Sequence, residues 1–399
     1  MVGALRFAVA RLLGAQDLLV PFLSEVRDWK DFERLVGLQR VGPLISSLAR
    51  RHPDIFPQET AAALAVRSRL STLRSLAQAA HTCELTTLLG SAGVTTIVLK
   101  GAALEMSAYG EIGLRDPGDL DLLVLPEALD TAIAVMVDSG YEIDHGNVVD
   151  APWCAAYRDI VEDLQRGGRR RRDRGDGQLQ GRWRSFRKLA NAISLVRADT
   201  GAVDLHWRLF RNERLFDADV WSRRAEVLVA GAAVGALSPE LELVYLACHG
   251  AKHSWKAFKW LVDLPLVAKT AAQSFESVRA IAEEAGVAHV LGSALRLSTG
   301  LLGAPNREAI EAAFPPDRSS DSLVRRATEA LARAADPRVA EPSGISELRL
   351  HLRMHSGVRY WARSVEETLA LPNWWLDLAQ PLALRPVRVV RSMITRGGV

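Results

Sequence analysis

The chain has 399 residues, of which 48% are hydrophobic and 24% charged, with three cysteines and a formal charge of +3. These values exclude a disordered polymer and a disulfide scaffold, and no apolar run approaches the ~18 residues of a membrane-spanning helix. Cys83, Cys154 and Cys248 lie far apart without a CxxC pair, so a thiolate zinc site is not indicated and a cytoplasmic protein is expected.

At the N-terminus, Arg6, Arg11 and Asp17 interrupt what would otherwise resemble a signal peptide, and Leu5, Val9, Leu12 and Leu13 have amphipathic-helix spacing. Leu35, Leu38, Val41 and Leu44 recur at helical intervals, as do Leu70, Leu73 and Leu76, then Leu85, Leu88 and Leu89; His52-Pro53 and Phe56-Pro57 separate the first group from the others. The period changes at Thr95–Leu99, a β-branched run between Gly93 and Gly101 that reads as a buried strand. A short helix over 102–109, a Gly/Pro-rich loop over 110–118, a strand over 119–124 and a helix opened by Pro126 and ended by Gly140 follow.

A strand at 141–143 precedes a basic segment. Between Arg166 and Lys188, ten Arg or Lys face only Asp173 and Asp176, a local +8 that leaves the rest of the chain acidic. With almost no apolar residues, 165–188 reads as a flexible loop with a possible electrostatic role toward RNA. Residues 192–196 and 202–207 form a hairpin turning at Asp199-Thr200-Gly201, and from Pro239 to Pro381 the pattern is almost wholly helical, with connections at Gly303–Pro305 and Pro337–Gly344. The expected class is α+β: a helical region over 1–92, an α/β core with a small mixed sheet over 93–235, and a helical region over 236–399.

The chemistry concentrates in carboxylates. Alternation along a strand sends Asp119 and Asp121 to one face and Leu120, Leu122 and Val124 to the other. Unpaired, two such charges at ~5 Å repel by about 3 kcal/mol, a cost that a shared cation removes. In Val203-Asp204-Leu205-His206-Trp207, Asp204 and His206 share a face, with His206 read as a hydrogen-bonding support for Asp204. Three acids on adjacent strands suit two Mg²⁺ ions, with Mn²⁺ as substitute.

Leu99-Lys100-Gly101, Arg115, Asp119–Val124 and Val203–Trp207 together resemble the polymerase-β-like nucleotidyltransferase superfamily. The resemblance is closest to its uncharacterised bacterial family with an LKG…R…DxDLLV…VDLHW signature. Leu246–His253 and Trp260–Asp263 extend the likeness, which covers roughly residues 30–300. It implies a mixed sheet with flanking helices, metal ligation by Asp119, Asp121 and Asp204, and transfer of a nucleoside monophosphate from an NTP with release of pyrophosphate. The acceptor stays open among a small molecule, a peptide or protein, and RNA. Gly101 stands alone where the wider superfamily has a Gly-Gly or Gly-Ser pair, so a non-catalytic nucleotide- or RNA-binding regulatory protein is the alternative.

Lysine is scarce, seven against 43 arginines, which singles out Lys100 beside Gly101 as a triphosphate contact. Arg115 is read as a phosphate ligand or as an ion-pair partner of Glu111 or Asp116. If residues 249–263 form one helix, His249, His253, Lys256, Trp260 and Asp263 share a face with Lys252 and Lys259 on its flank, a candidate wall of the nucleotide site. Trp361, Trp374, Trp375 and the basic tail over 385–396 have no assigned role.

Overall fold

The computed structural model describes residues 26–144, 187, 190–212, 215, 219–271, 275–302, 307–334, 350, 352–355 and 357–370. The expected N-terminal amphipathic helix, the basic loop apart from Arg187, Cys154, the connections at 303–305 and 337–344, Trp374, Trp375 and the tail over 385–396 lie outside the described residues. Among the described residues the class is α+β, with twelve α-helices and a seven-stranded mixed sheet in the order β3 (Glu142–Ile143), β4 (Ala192–Arg197), β5 (Gly201–His206), β2 (Leu120–Val124), β1 (Thr96–Leu99), β7 (Ala232–Leu237) and β6 (Arg224–Val229). Among the described residues no helix is long and apolar enough to cross a membrane. Two compact units divide the chain, Met1–Cys83 with Val98–Gly118 and Ala218–Ala340, and Glu84–Ile97 with Asp119–Asp217 and Glu341–Val399.

The second unit contains the acidic strands. β2 (Leu120–Val124) pairs in parallel with β5 (Gly201–His206), which is antiparallel to β4 (Ala192–Arg197), itself antiparallel to β3 (Glu142–Ile143). Every residue of β2 is buried, which explains its near-continuous apolar sequence. The following helix begins at Leu129 rather than Pro126, because residues 126–128 form a turn; it runs to Asp138 and buries Leu129, Ala132, Ile133 and Met136 at helical spacing. Gly140 follows it in the left-handed region, φ 87°, as a helix stop requires.

In the first unit, Leu35, Leu38, Val41 and Leu44 do not line one helix. They divide between α1 (Trp29–Leu38), capped by Asp28, and α2 (Gly42–Arg51), with Arg40 at φ 57° breaking the chain between them. α3 (Gln58–Ser91) is long and departs further from the expected pattern, since Leu70, Leu73 and Leu76 are exposed while Ser71 and Ser75 are buried. Val98 of β1 (Thr96–Leu99) pairs in parallel with Ala236 of β7 (Ala232–Leu237). A short helix, Gly101–Leu104, runs on as a π-turn over Glu105–Tyr109.

β6 (Arg224–Val229) and β7 form a hairpin turning at Ala230-Gly231, both with positive φ. The sequence reading missed this hairpin, because Ala-rich β7 has a single β-branched residue, Val234, where a strand is usually marked by several. The segment expected as one helix over 249–263 is two helices, Pro239–Lys252 and Phe258–Ala271. Ser254 and Trp255 reverse the chain at φ 54° and 46°, and the Trp255 indole folds back over Gly250. A Cβ on Gly250 would lie 2.3 Å from that ring, so the turn requires glycine there. Gly250→Ala is therefore expected to cost about 1–3 kcal/mol in urea unfolding. Gly300→Ala, on a helix with nothing within 4 Å, is expected to be neutral or stabilising.

Candidate active site

The parallel register of β2 and β5 aligns Asp121 with Asp204, so both carboxylates leave the same face of neighbouring strands. Asp121 is 8% exposed and Asp204 half-buried, while Leu120, Leu122, Val203 and Leu205 are buried. His206, two residues beyond Asp204 on the same face, completes a group whose ligand atoms all lie within 4.8 Å of one another. Its Nε2 is 3.0 Å from Asp121 Oδ1, and its Nδ1 is 3.2 Å from Asn191 Nδ2. With the Asn191 amide at Nδ1, the ring donates its Nε2–H to Asp121. His206 thus supports Asp121, not Asp204 as its spacing suggested.

Asp204 instead accepts a hydrogen bond from the Ser194 hydroxyl, from the residue opposite it on β4. Burial pushes the Asp204 carboxyl above its ordinary pKa; Ser194 and His206 counter the shift, while Asp121 and Asp119 add to it. Asp119 sits one residue before β2, not within it, and is exposed. Two carboxylates and an imidazole whose ligand atoms lie within 4.8 Å of one another are a group that a divalent cation fits.

The other expected site residues belong to the first unit. Lys100 has φ 62° and ψ −140°, a conformation costly for a residue with a Cβ, and its ammonium lies 5.9 Å from the Tyr245 ring centroid. Gly101 follows at φ 53° and is buried. Although the helix expected over 249–263 is broken, the turn still gathers its rings. His249 lies 5.1 Å from His253 and 5.6 Å from Trp260, and His253 stacks on Trp260 at 5.2 Å. Burial, then Lys100, His253 and Lys252, hold His249 well below its ordinary pKa, so it is neutral at pH 7. Lys252, the last residue of its helix, is half-buried.

Arg115 is 4% exposed, and its Nε and a terminal nitrogen donate to the two oxygens of fully buried Asp263 at 2.9 and 3.0 Å. Its ion-pair partner is therefore neither Glu111 nor Asp116. Tyr109 donates to Asp263 as well, at 2.6 Å. Burial opposes the Arg115 charge, but Asp263, with Tyr109 and Glu105, more than offsets this and raises its pKa. Asp263 thus leaves the ring cluster for the interior, a consequence of the break at 254–255.

The loop before Asp119 is held by side chains from two helices and from the turn between α1 and α2. Lys259 Nζ donates to the Asp116 carbonyl at 3.3 Å, Arg40 to the Pro117 carbonyl, and Gln78 Nε2 to the Gly118 carbonyl at 2.7 Å. Arg40 also pairs with the Asp116 carboxylate at 2.6 Å, and the Ser71 hydroxyl donates to it at 3.1 Å. Three consecutive carbonyls in a Gly/Pro-rich loop thus find partners that no local secondary structure supplies. Asn191, Ser194 and this clamp were not anticipated. Ser194 alone was accessible beforehand, since a hairpin pairing Arg197 with Gly201 puts it opposite Asp204.

Comparison with known proteins adds one match. The model of a family described as uncharacterised nucleotidyltransferase matches residues 25–303. No curated protein and no solved structure matches the chain.

The Arg115–Asp263 group also affects its neighbours. Burial, and next the Asp263 charge, push the Glu242 carboxyl up to about 8, whereas burial and the charges of Arg115 and Arg40 push Lys259 down to about 6. A carboxyl raised in the folded state binds a proton that the unfolded chain has released, so its contribution to stability is lost as pH rises from about 4.5 to about 8. Glu242→Gln is expected to gain stability relative to the parent between pH 5 and pH 8, read as a widening difference in urea midpoints.

Proposed function

The chain belongs to this nucleotidyltransferase family, and from that premise we propose that it transfers a nucleoside monophosphate from an NTP to an acceptor, releasing pyrophosphate. The observation that carries the reading is the in-register pair Asp121–Asp204 with His206 bonded to it. Asp121 and Asp204, with Asp119, are the residues proposed to hold Mg²⁺, or Mn²⁺ in its place. Bound there, divalent ions supply charge neutralisation for the triphosphate and acidify the attacking hydroxyl.

The acceptor oxygen forms a bond to the α-phosphorus, the bond from that phosphorus to the β-phosphate oxygen breaks, and pyrophosphate leaves with that oxygen. The acceptor proton passes to an Asp204 carboxylate oxygen, for which a raised pKa is the favourable direction. His206 holds Asp121 in orientation through its Nε2–H. For the nucleotide we assign Lys100 and Gly101, with His249, Lys252 and His253, a set that offers cations, a neutral imidazole and ring faces. Arg115, bound on two sides by Asp263, acts through the loop it anchors and is a positioning residue. The acceptor is a hydroxyl-bearing small molecule, peptide or protein, or RNA end.

Calorimetric titration with each NTP, with and without Mg²⁺, is expected to show metal-dependent binding that Asp121→Ala abolishes. Metal-free binding unchanged in the variant would instead favour a nucleotide-binding regulatory protein. Pyrophosphate release in cell extract supplemented with the protein is expected to fall by at least ~100-fold for Asp121→Asn and Asp204→Asn. His206→Ala is expected to weaken metal binding by about 10–100-fold, since it orients a ligand.

A further inference from the structure

α3 is amphipathic in the wrong sense for a helix of a globular fold. Its inward face carries Ser71, Ser75 and Thr82, all buried, together with Leu64 and Ala79. The opposite face is apolar and uncovered: Val66 is 58% exposed, Leu70 53%, Leu73 62% and Leu76 51%, with exposed Ala77 and Ala80 continuing the row. The inward polarity has a use, since Ser71, Thr72, Ser75 and Gln78 hold the loop over 110–118. No such use explains the outward row.

Its spacing does suggest one. Val66, Leu70, Leu73, Ala77 and Ala80 are separated by four, three, four and three residues, the 3.5-residue period of a seam that packs against another helix. The positions beside that seam hold Arg67 and Arg74 on one margin and Arg69 on the other, and no acid lies between Glu59 and Glu84. A second copy would set arginine against arginine in either orientation. The chain's own first 25 residues balance Arg6 and Arg11 with Asp17 and Glu25, and so offer no net charge to complement these arginines. Charge complementarity therefore selects a partner of the opposite sign.

We propose that the outward face of α3 between Val66 and Ala80 is a docking surface for an amphipathic helix of a partner protein whose apolar seam is flanked by Asp or Glu. Leu70 and Leu73 form the centre of the contact, and Arg67, Arg69 and Arg74 pair with the acidic flanks. None of these residues is assigned to the acidic site, so this inference does not depend on the nucleotidyl-transfer reading.

The test uses the full chain and two synthetic three-heptad helical peptides with the same Leu seam, one flanked by Glu and one by Lys, followed by fluorescence anisotropy. Saturable binding of the Glu peptide, weakened by salt and at least ~10-fold tighter than that of the Lys peptide, is expected. Leu70→Glu/Leu73→Glu should abolish it without loss of helical circular dichroism, because both side chains are exposed. Arg69→Glu/Arg74→Glu should transfer the preference to the Lys peptide. Equal binding of both peptides, binding of neither, or a preference that survives the charge reversal overturns the proposal. So does sedimentation as a dimer that Leu73→Glu dissociates, or binding to phosphatidylglycerol vesicles in place of the Glu peptide.

Discussion

Alignment of Asp121 with Asp204 across two parallel strands is the constraint on which the chemistry depends. A slip of one residue would turn Asp204 to the other face and expose Val203 and Leu205, both buried, so the hydrophobic pattern that folds β5 also fixes the carboxylate pair. The repulsion between the two acids is offset in part by two donors, the Ser194 hydroxyl on Asp204 and the His206 Nε2–H on Asp121. Two hydrogen-bonded carboxylates and an imidazole gathered on one face are a group that a divalent cation fits.

A second constraint operates in the other unit, where buried charges are paired instead of shared. Arg115 and Asp263 meet in two hydrogen bonds with almost no exposure, and removing either would leave an uncompensated charge in the interior. Burial, with Asp263 adding to it, pushes Glu242 up, and burial, with Arg115 and Arg40 adding to it, pushes Lys259 down. Lys259, Arg40 and Gln78 then satisfy the backbone of the loop that ends one residue before Asp119. The polar inward face of α3 follows from this arrangement: a Gly/Pro-rich loop needs donors, and Ser71, Thr72, Ser75 and Gln78 supply them.

Much of the architecture was legible locally. β1, β2, the β4–β5 hairpin and the helices flanking them followed from β-branched runs, period and turn residues, and the LKG…R…DxDLLV…VDLHW residues pointed to the family that the comparison supports. Where the local reading failed, long-range packing was responsible. Leu70, Leu73 and Leu76 have correct helical spacing, yet spacing does not state which side of a helix faces inward. The helix expected across 249–263 breaks because Trp255 packs over Gly250, a contact that only the folded turn creates.

The sequence by itself determined the strand that carries Asp121, the hairpin that carries Asp204 and the family to which these motifs belong, because strand alternation and turn chemistry act over a few residues. Only the tertiary structure decided that His206 bonds to Asp121 and that Arg115 is committed to Asp263. Those partners lie 85 and 148 positions apart, and hydrogen bonding at such separation is set by how strands and helices pack, which no local pattern encodes.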